Sequence, residues 1–239
     1  MINTGRLIEN AAGIGVTITE EQAEITDRFC EMVFETNKLF NLTAIKEADD
    51  MEEKNALDSL SVLPYIPQNS VMADVGTGAG FPGVVVAVTR PDVQVTLIEA
   101  TDKKLQFAVN AAAKLNHPVT GVHCRGEEAG RAEYREKFDV VTARAVAALP
   151  TLLEFCLPLV KVGGRFVAMK GAGAKAEAEA SGNALKLLGG KITETHTFSL
   201  PSAGERTIFV IEKVKQTPPK YPRASTKIKK DPLGVVVSG

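Results

Sequence analysis

Three glycines at alternate positions, Gly76, Gly78 and Gly80, follow a short apolar run, Val71–Val75, which carries an acidic residue, Asp74, near its end. Glycine allows a backbone to turn sharply and to approach a ligand closely, because it has no Cβ. The apolar run predicts a strand, and a glycine-rich turn between a strand and a helix is typical of sites for nucleotide-like cofactors. The pattern therefore predicts a cofactor site at this turn.

A carboxylate supports the same site. Glu99 follows the next predicted strand, Val93–Ile98, and lies twenty-three residues after Gly76. A carboxylate at the end of the second strand is placed to accept hydrogen bonds from ribose hydroxyls. Together, the turn and Glu99 favour a nucleoside-bearing ligand over an ordinary loop.

Two registers of the glycines suggest different cofactors. Read from Gly78, the run GAGFPG matches the dinucleotide pattern G-x-G-x-x-G, which would allow an NAD-dependent oxidoreductase. In that register Pro82 lies inside the phosphate-binding turn, where it has no N–H to donate. The register Asp74-x-Gly76-x-Gly78-x-Gly80 looks like the first motif of methyltransferases that use S-adenosylmethionine, a cofactor without phosphate. This second register is favoured.

The composition narrows the class of protein. The chain has 239 residues, a net charge of −1, 44% hydrophobic and 24% charged residues, which is ordinary for a globular protein. No apolar run is long enough for a transmembrane helix, and the N-terminus lacks a signal-peptide pattern, so a cytoplasmic protein is expected. Cys30, Cys124 and Cys156 have no CxxC spacing and no histidines have metal-ligand spacing, so no metal is expected.

The elements that position the glycines and Glu99 can be read from periodicity. Residues 1–67 have a helical pattern, with a capping box at Thr19–Gln22 and a further helix over Ala48–Leu63, and are interpreted as an N-terminal helical extension packed on the core. Strands are predicted at 71–75, 93–98, 119–123, 138–143, 165–169, 191–198 and 206–214, with helices at 83–89, 102–115, 149–157 and 174–188. Strand–helix alternation followed by a hairpin predicts an α/β, doubly wound, seven-stranded Rossmann-like domain over residues 68–214, in the variant used by class I S-adenosylmethionine methyltransferases.

In such a sheet, the ligand lies at the carboxyl ends of the strands. Strand three is followed by Gly126 and Glu127, strand four ends at Arg144, and strand five ends at Lys170. Arginine is rarely buried without a partner, so Arg144 is expected to meet a carboxylate, a phosphate or a base edge. These residues are candidates for the cofactor site, and Arg144 and Lys170 also for a nucleic-acid site.

The segment 215–239 is interpreted as a basic C-terminal tail. Its cations are Lys215, Lys220, Arg223, Lys227, Lys229 and Lys230, against Asp231 alone. Taken alone, the tail could be a solvated terminus, but beside a methyltransferase core it favours nucleic acid as the partner. Lys220, Arg223, Lys227, Lys229 and Lys230 are therefore candidate RNA-binding residues.

Several motifs resemble one family. They are NLTAI (Asn41–Ile45), DSL (Asp58–Leu60), DVGTGAGFPG (Asp74–Gly83), FDVVTARAVA (Phe138–Ala147), LPLVKVGGRFVAMKG (Leu157–Gly171) and KQTPPKYPR (Lys215–Arg223). In this order they resemble the glucose-inhibited division protein B family of bacterial guanine-N7 methyltransferases. The resemblance implies S-adenosylmethionine as methyl donor, a loop of 16S ribosomal RNA near the decoding site as substrate, and cofactor contacts at Gly76, Phe81, Gly126, Glu127 and Arg144.

The chain departs from the family at two positions of interest. Asn55 stands where the family often has histidine, in the pattern His-x-x-Asp-Ser, and Gly126 replaces a more usual alanine. Guanine N7 has a free lone pair, so its methylation needs no general base and depends on positioning. Asp58 could support the cationic product, or could simply be a cap or ion-pair partner. A monomer acting on naked RNA or on an assembling subunit is expected; a non-catalytic RNA-binding module is the other alternative.

Overall fold

The computed structural model describes residues 2–234; Met1 and the last five residues of the predicted tail lie outside this range. Seven strands form one mixed sheet in the order β3-β2-β1-β4-β5-β7-β6. The strands are β1 (Val71–Val75), β2 (Gln94–Glu99), β3 (Thr120–His123), β4 (Phe138–Arg144), β5 (Val160–Lys170), β6 (Gly190–Leu200) and β7 (Gly204–Lys213). The first five are parallel, and β7 pairs antiparallel with β5 and β6. The predicted seven-stranded fold is confirmed.

The central strands of the sheet are buried on both faces, whereas the edge strands β3 and β6 are mostly exposed. Neighbouring residues of a strand point to opposite faces, so Met72 packs in one hydrophobic cluster and Ala73 in the other. Helices α5 (Gly83–Thr89) and α6 (Asp102–Lys114) cover the first face, and α8 (Leu149–Cys156) and α10 (Gly182–Leu188) cover the second. Every residue of α5 is buried, which explains its continuous apolar sequence.

The N-terminal residues fold as helices on the first face. They comprise α1 (Thr4–Gly13), α2 (Glu20–Asn37), α3 (Ala48–Met51), a π-helical segment (Glu52–Leu57), α4 (Asp58–Leu60) and a 3₁₀ turn (Leu63–Tyr65). The predicted capping box is present, since Thr19 Oγ1 accepts from Gln22 N and Gln22 Oε1 accepts from Thr19 N. Phe29 of α2 packs on Phe81, with 4.9 Å between ring centroids. The N-terminal helices therefore share one core with the sheet.

Several local features differ from the sequence expectation. The single helix predicted over Ala48–Leu63 is divided into α3, the π-helical segment and α4. β5 begins five residues before its predicted start, because Gly163, at φ +85°, and Gly164 are accommodated inside the strand. The helix predicted over 174–188 is two helices, α9 (Ala174–Glu179) and α10, separated at Ser181, whose hydroxyl donates to Glu177 O. A short helix, α7 (Gly126–Ala129), follows β3.

The C-terminal segment is docked on the molecule as far as the structure describes it. Tyr221 is buried, and so is Ile228 in helix α11 (Ser225–Lys230). Arg131 and Arg135 donate to backbone carbonyls of this segment, at Pro222 O (2.8 Å) and Tyr221 O (2.8 Å). In a solvated tail these backbone carbonyls would accept hydrogen bonds from water; here they accept from arginine side chains of the folded domain.

Candidate active site

A cleft of about 1060 Å³ lies at the carboxyl ends of the parallel strands. One wall is the glycine turn after β1 together with the residues that follow β2, β3, β4 and β5. The opposite wall comes from the N-terminal helices, through the loop Leu42–Ile45 and through Lys54, Asn55 and Asp58. The cleft is thus formed between the sheet and the helical segment before it.

The three glycines of the turn have different surroundings. All have positive φ, at +70° for Gly76, +58° for Gly78 and +110° for Gly80, a region that other residues rarely adopt. A Cβ on Gly78 would meet nothing within 4 Å, so this residue faces the open cleft. A Cβ on Gly80 would lie 2.9 Å from the Phe29 ring, and Gly80 is not among the lining residues. Gly80 therefore allows helix α2 to approach the turn.

Asp74 anchors the turn to the helix that follows it. Its carboxylate is fully buried and accepts hydrogen bonds from Gly83 N (3.0 Å) and from Thr142 Oγ1 (3.2 Å). Burial raises the pKa of Asp74, although these hydrogen bonds oppose the effect. The sequence placed Asp74 in the glycine motif but did not predict its contacts with Gly83 and Thr142, for which the signal is an acidic residue in an otherwise apolar strand.

Glu99 is bound to the glycine turn. Its carboxylate accepts from Gly78 N at 3.0 Å and from Thr101 N at 2.8 Å, and the residue is only 9% exposed. A carboxylate can accept about four hydrogen bonds, so two of its lone pairs remain for a ligand. Glu99 can therefore fix the turn and face a ribose at the same time.

Glu127 supplies a buried acceptor with no partner in the described part of the chain. The residue is 3% exposed, it lines the cleft, and its Oε1 atom makes no hydrogen bond. Leaving a buried carboxylate oxygen unsatisfied is costly, so the atom suits a ligand that donates, such as the amino group of adenine. Gly126 beside it is tightly packed, because a Cβ there would lie 2.8 Å from Val75 Cγ1.

Arg144 joins the sheet to the opposite wall. Its guanidinium donates to Asn55 Oδ1 (2.7 Å), to Asp58 Oδ2 (3.1 Å) and to the carbonyl of Lys54. It also lies over the Phe81 ring, 5.6 Å from the centroid. The expected carboxylate partner is thus Asp58, while sequence reasoning missed the part played by Asn55.

The residue after Arg144 is held in an unusual conformation. Ala145 has φ +55°, a region that costs a non-glycine residue of order 1 kcal/mol or more. It lines the cleft, and so does Val146, which is 37% exposed. Non-glycine residues with positive φ concentrate at functional sites. The conformation of Ala145 therefore supports a functional role for this cleft, independently of the charged side chains that line it.

The basic candidates occupy different places. Lys170 lines the cleft, but it donates to Ala147 O (2.8 Å) and pairs with Glu177 (2.7 Å). Lys229 of α11 also lines the cleft, whereas Lys220, Arg223, Lys227 and Lys230 do not. Arg223 is held by the fully buried Glu154, with an Nη2–Oε2 distance of 2.8 Å, and Lys227 pairs with Asp231 at 3.2 Å.

Within residues 2–234, no group of three or more His, Cys, Asp or Glu side chains could hold a metal ion. None of the helices in this range is long and apolar enough to cross a membrane. Burial raises the pKa of both Cys30 and Cys156, so their nucleophilic thiolate forms are disfavoured.

The sheet order and the glycine turn bound to Glu99 are those of the class I S-adenosylmethionine-dependent methyltransferase fold. TrmN from Thermus thermophilus has a TM-score of 0.53 at 17% identity, covering 66% of this chain and 48% of that chain. The B. subtilis tRNA methyltransferase TrmK has a TM-score of 0.53 at 16% identity, covering 70% and 69%. At these identities the likeness concerns the fold.

The sequence defines the family more closely. Residues 22–208 match the GidB family, described as rRNA small subunit methyltransferase G. Proteins with the name ribosomal RNA small subunit methyltransferase G are similar over 231 residues, at 45% identity in Acetivibrio thermocellus (95% of both chains) and 42% in Staphylococcus aureus strain Newman (95% of this chain and 97% of that one). The chain belongs to the GidB family of S-adenosylmethionine-dependent methyltransferases. This membership does not favour the oxidoreductase or the non-catalytic module.

Proposed function

We propose that the protein transfers the methyl group of S-adenosylmethionine to N7 of a guanine in 16S ribosomal RNA, near the decoding site. Family membership and the names of the relatives support the rRNA substrate. The cleft supports this chemistry, which needs no general base. Its described lining contains no histidine, and its acidic side chains either bind arginine or backbone groups or lie on the side proposed for adenine.

The cofactor would lie along the glycine turn. Gly78 offers open space, Glu99 faces the ribose, and the free Oε1 of Glu127 accepts from the adenine amino group. Phe81 and Gly76 close the turn beneath the methionine part, and Gly126 borders the adenine. When bound, S-adenosylmethionine supplies an electrophilic methyl group.

The protein's contribution to the reaction is positioning. Guanine N7 carries a lone pair and no proton, so no side chain has to remove one. Holding N7 in line with the methyl–sulfur bond can contribute up to roughly 7–11 kcal/mol in well-oriented cases. Arg144, fixed by Asn55 and Asp58, keeps the wall opposite the cofactor in place.

The RNA backbone would bind around the mouth of the cleft. Besides Arg144, Lys170 and Arg206, the described lining of the cleft includes four cations from different segments of the chain: Lys54, Lys104, Arg125 and Lys229. Basic side chains that contact phosphates supply affinity that is independent of base sequence. Lys220, Lys227 and Lys230 extend this basic surface along the docked C-terminal segment, whereas Arg223 serves to hold that segment.

A transfer assay tests the proposal. The protein is incubated with tritiated S-adenosylmethionine and either isolated small subunits lacking the modification or protein-free 16S RNA, and the digested nucleosides are separated. We expect the label in 7-methylguanosine, from at least one of the two substrates. Label in another nucleoside, or none in either substrate, would contradict it.

A further inference from the structure

Asp58 lies in the cleft with one carboxylate oxygen satisfied and the other not. Its side chain is 7% exposed, and Oδ2 accepts from Arg144 at 3.1 Å. Oδ1 is buried and makes no hydrogen bond within the described chain; Arg206 Nε is 3.6 Å away, an ion pair longer than a hydrogen bond. The hydrogen bond from Arg144 therefore satisfies only one of the two oxygens of this carboxylate.

Arg206 has spare donors at the same place. This residue of β7 lines the cleft, and its Nη1 donates to Ala203 O (2.9 Å) and Glu205 O (3.0 Å). Its Nη2 makes no hydrogen bond to any described residue. The guanidinium of Arg206, with its Nε 3.6 Å from Asp58 Oδ1 and its Nη2 free within the described chain, thus lies beside the unsatisfied oxygen of Asp58 at the cleft.

The acceptor of Asp58 and the donor of Arg206 match the hydrogen-bonding edge of guanine. Guanine presents, side by side, the acceptor O6 and the donors N1–H and N2–H, whereas adenine presents a donor at position 6 and an acceptor at N1. A carboxylate accepts only, and a guanidinium donates only. Adenine in the same position would set its N1 lone pair against the carboxylate and its amino group against the guanidinium, so the pair would reject it.

We propose that Asp58 and Arg206 recognise the target guanine, with Asp58 Oδ1 accepting from N1–H and N2–H and an Arg206 N–H donating to O6. This inference rests on the proposed function and adds which residues select the base. A carboxylate at N1–H also stabilises the positive charge that the base acquires as the N7–methyl bond forms and the methyl–sulfur bond breaks.

The test uses inosine, which has N7 but lacks the N2 amino group. 16S RNA is ligated with guanosine or inosine at the position found in the transfer assay, and is presented in the form that the assay finds active. For the wild type, kcat/KM for guanosine should exceed that for inosine by about tenfold or more. In Asp58→Asn and Asp58→Ala this ratio should fall close to one, mainly through loss of activity on guanosine.

A matched variant separates recognition from structure. Glu53→Gln alters a carboxylate in the π-helical segment that precedes Asp58. Glu53 accepts from Ser202 N and Ala203 N and does not line the cleft, so this variant should keep the wild-type ratio. Affinity for S-adenosylhomocysteine reports whether each variant retains its fold. Two results would overturn the inference: no discrimination by the wild type, or equal losses on both substrates in the Asp58 variants. If the wild type forms no 7-methylguanosine at all, the proposed function itself fails.

Discussion

Single residues decide how the glycine turn accepts a ligand. Gly76 and Gly80 have neighbours within 3 Å of a hypothetical Cβ, so their requirement is internal packing. Gly78 has open space in front of it and donates its N–H to Glu99. Of the three glycines, we therefore expect Gly78 to be the one whose substitution acts on a bound ligand directly.

Gly78→Val should abolish binding of S-adenosylhomocysteine while the protein stays folded. The branched side chain would occupy the space for the methionine part of the cofactor, and the positive φ would disfavour any side chain at this position. Isothermal titration measures the affinity, and circular dichroism reports the fold.

Gly163→Val is the matched control for this variant. Gly163 also has a positive φ, +85°, and open space around its missing Cβ, but it lies in β5 away from the cleft. Gly163→Val should therefore show only the destabilisation caused by a side chain at positive φ, and it should keep full cofactor affinity. Full affinity in folded Gly78→Val would place the cofactor elsewhere.

At the scale of elements, a buried ion pair is one of the contacts that dock the C-terminal segment on the molecule. Glu154 of α8 is fully buried and accepts from the backbone N–H and the guanidinium of Arg223. Removing one partner of a buried pair leaves an uncompensated charge. The pair thus holds α11, which carries Lys229 to the cleft.

Arg223→Ala should destabilise the protein by roughly 3–5 kcal/mol and release the segment after it. Urea unfolding measures the loss, and limited proteolysis should show new cleavage near α11. The double variant Arg223→Ala, Glu154→Gln, which removes the unpaired charge, should recover part of the stability. Unchanged stability in the single variant would show that the pair does not hold the segment.

The lysines of the segment should act on RNA alone. Replacing Lys220, Lys227, Lys229 and Lys230 by glutamine should weaken RNA binding and reduce the slope of log K against log salt by roughly 3, at about 0.7 for each contact with single-stranded phosphate. Cofactor affinity should not change. A salt titration of RNA binding measures the slope, and an unchanged slope would mean that RNA binds elsewhere.

Sequence patterns predicted the elements better than the contacts between them. The strands follow from short apolar runs, and hence the carboxyl-end cleft could be predicted with Glu99, Glu127 and Arg144 at its edge. The pairing of Arg144 with Asn55 and Asp58 could not, because it joins residues almost ninety positions apart through packing of the N-terminal helices. The docking of Arg223 on Glu154 could not be predicted for the same reason, because a basic segment has the same sequence pattern whether it is solvated or packed on the protein.

At the scale of the whole molecule, Lys213 makes stability depend on pH. It is buried against the carbonyls of Leu157 (2.6 Å) and Val160 (3.3 Å), with Glu136 at 3.3 Å. Burial lowers the pKa of Lys213 to about 8, although Glu136 opposes the effect. Because the folded state binds this proton less tightly than the unfolded state, stability should rise with pH between that value and the ordinary lysine pKa, about 10.4.

Lys213→Met isolates this contribution. Between about pH 7 and about pH 9.5, the free energy of unfolding of the wild type should gain about 2 kcal/mol relative to the variant. Urea unfolding at both pH values measures the difference, and the buried thiols of Cys30 and Cys156 affect both proteins equally. A constant difference between the two proteins would contradict the lowered pKa.

The proposed function of this molecule is methylation of N7 of a guanine in 16S ribosomal RNA. It is tested by mass spectrometry of 16S RNA nucleosides from cells lacking the protein and from the same cells supplied with the wild type or with Gly78→Val. One 7-methylguanosine should be missing without the protein, return with the wild type and remain missing with Gly78→Val. An unchanged 7-methylguanosine content in cells lacking the protein would contradict the claim.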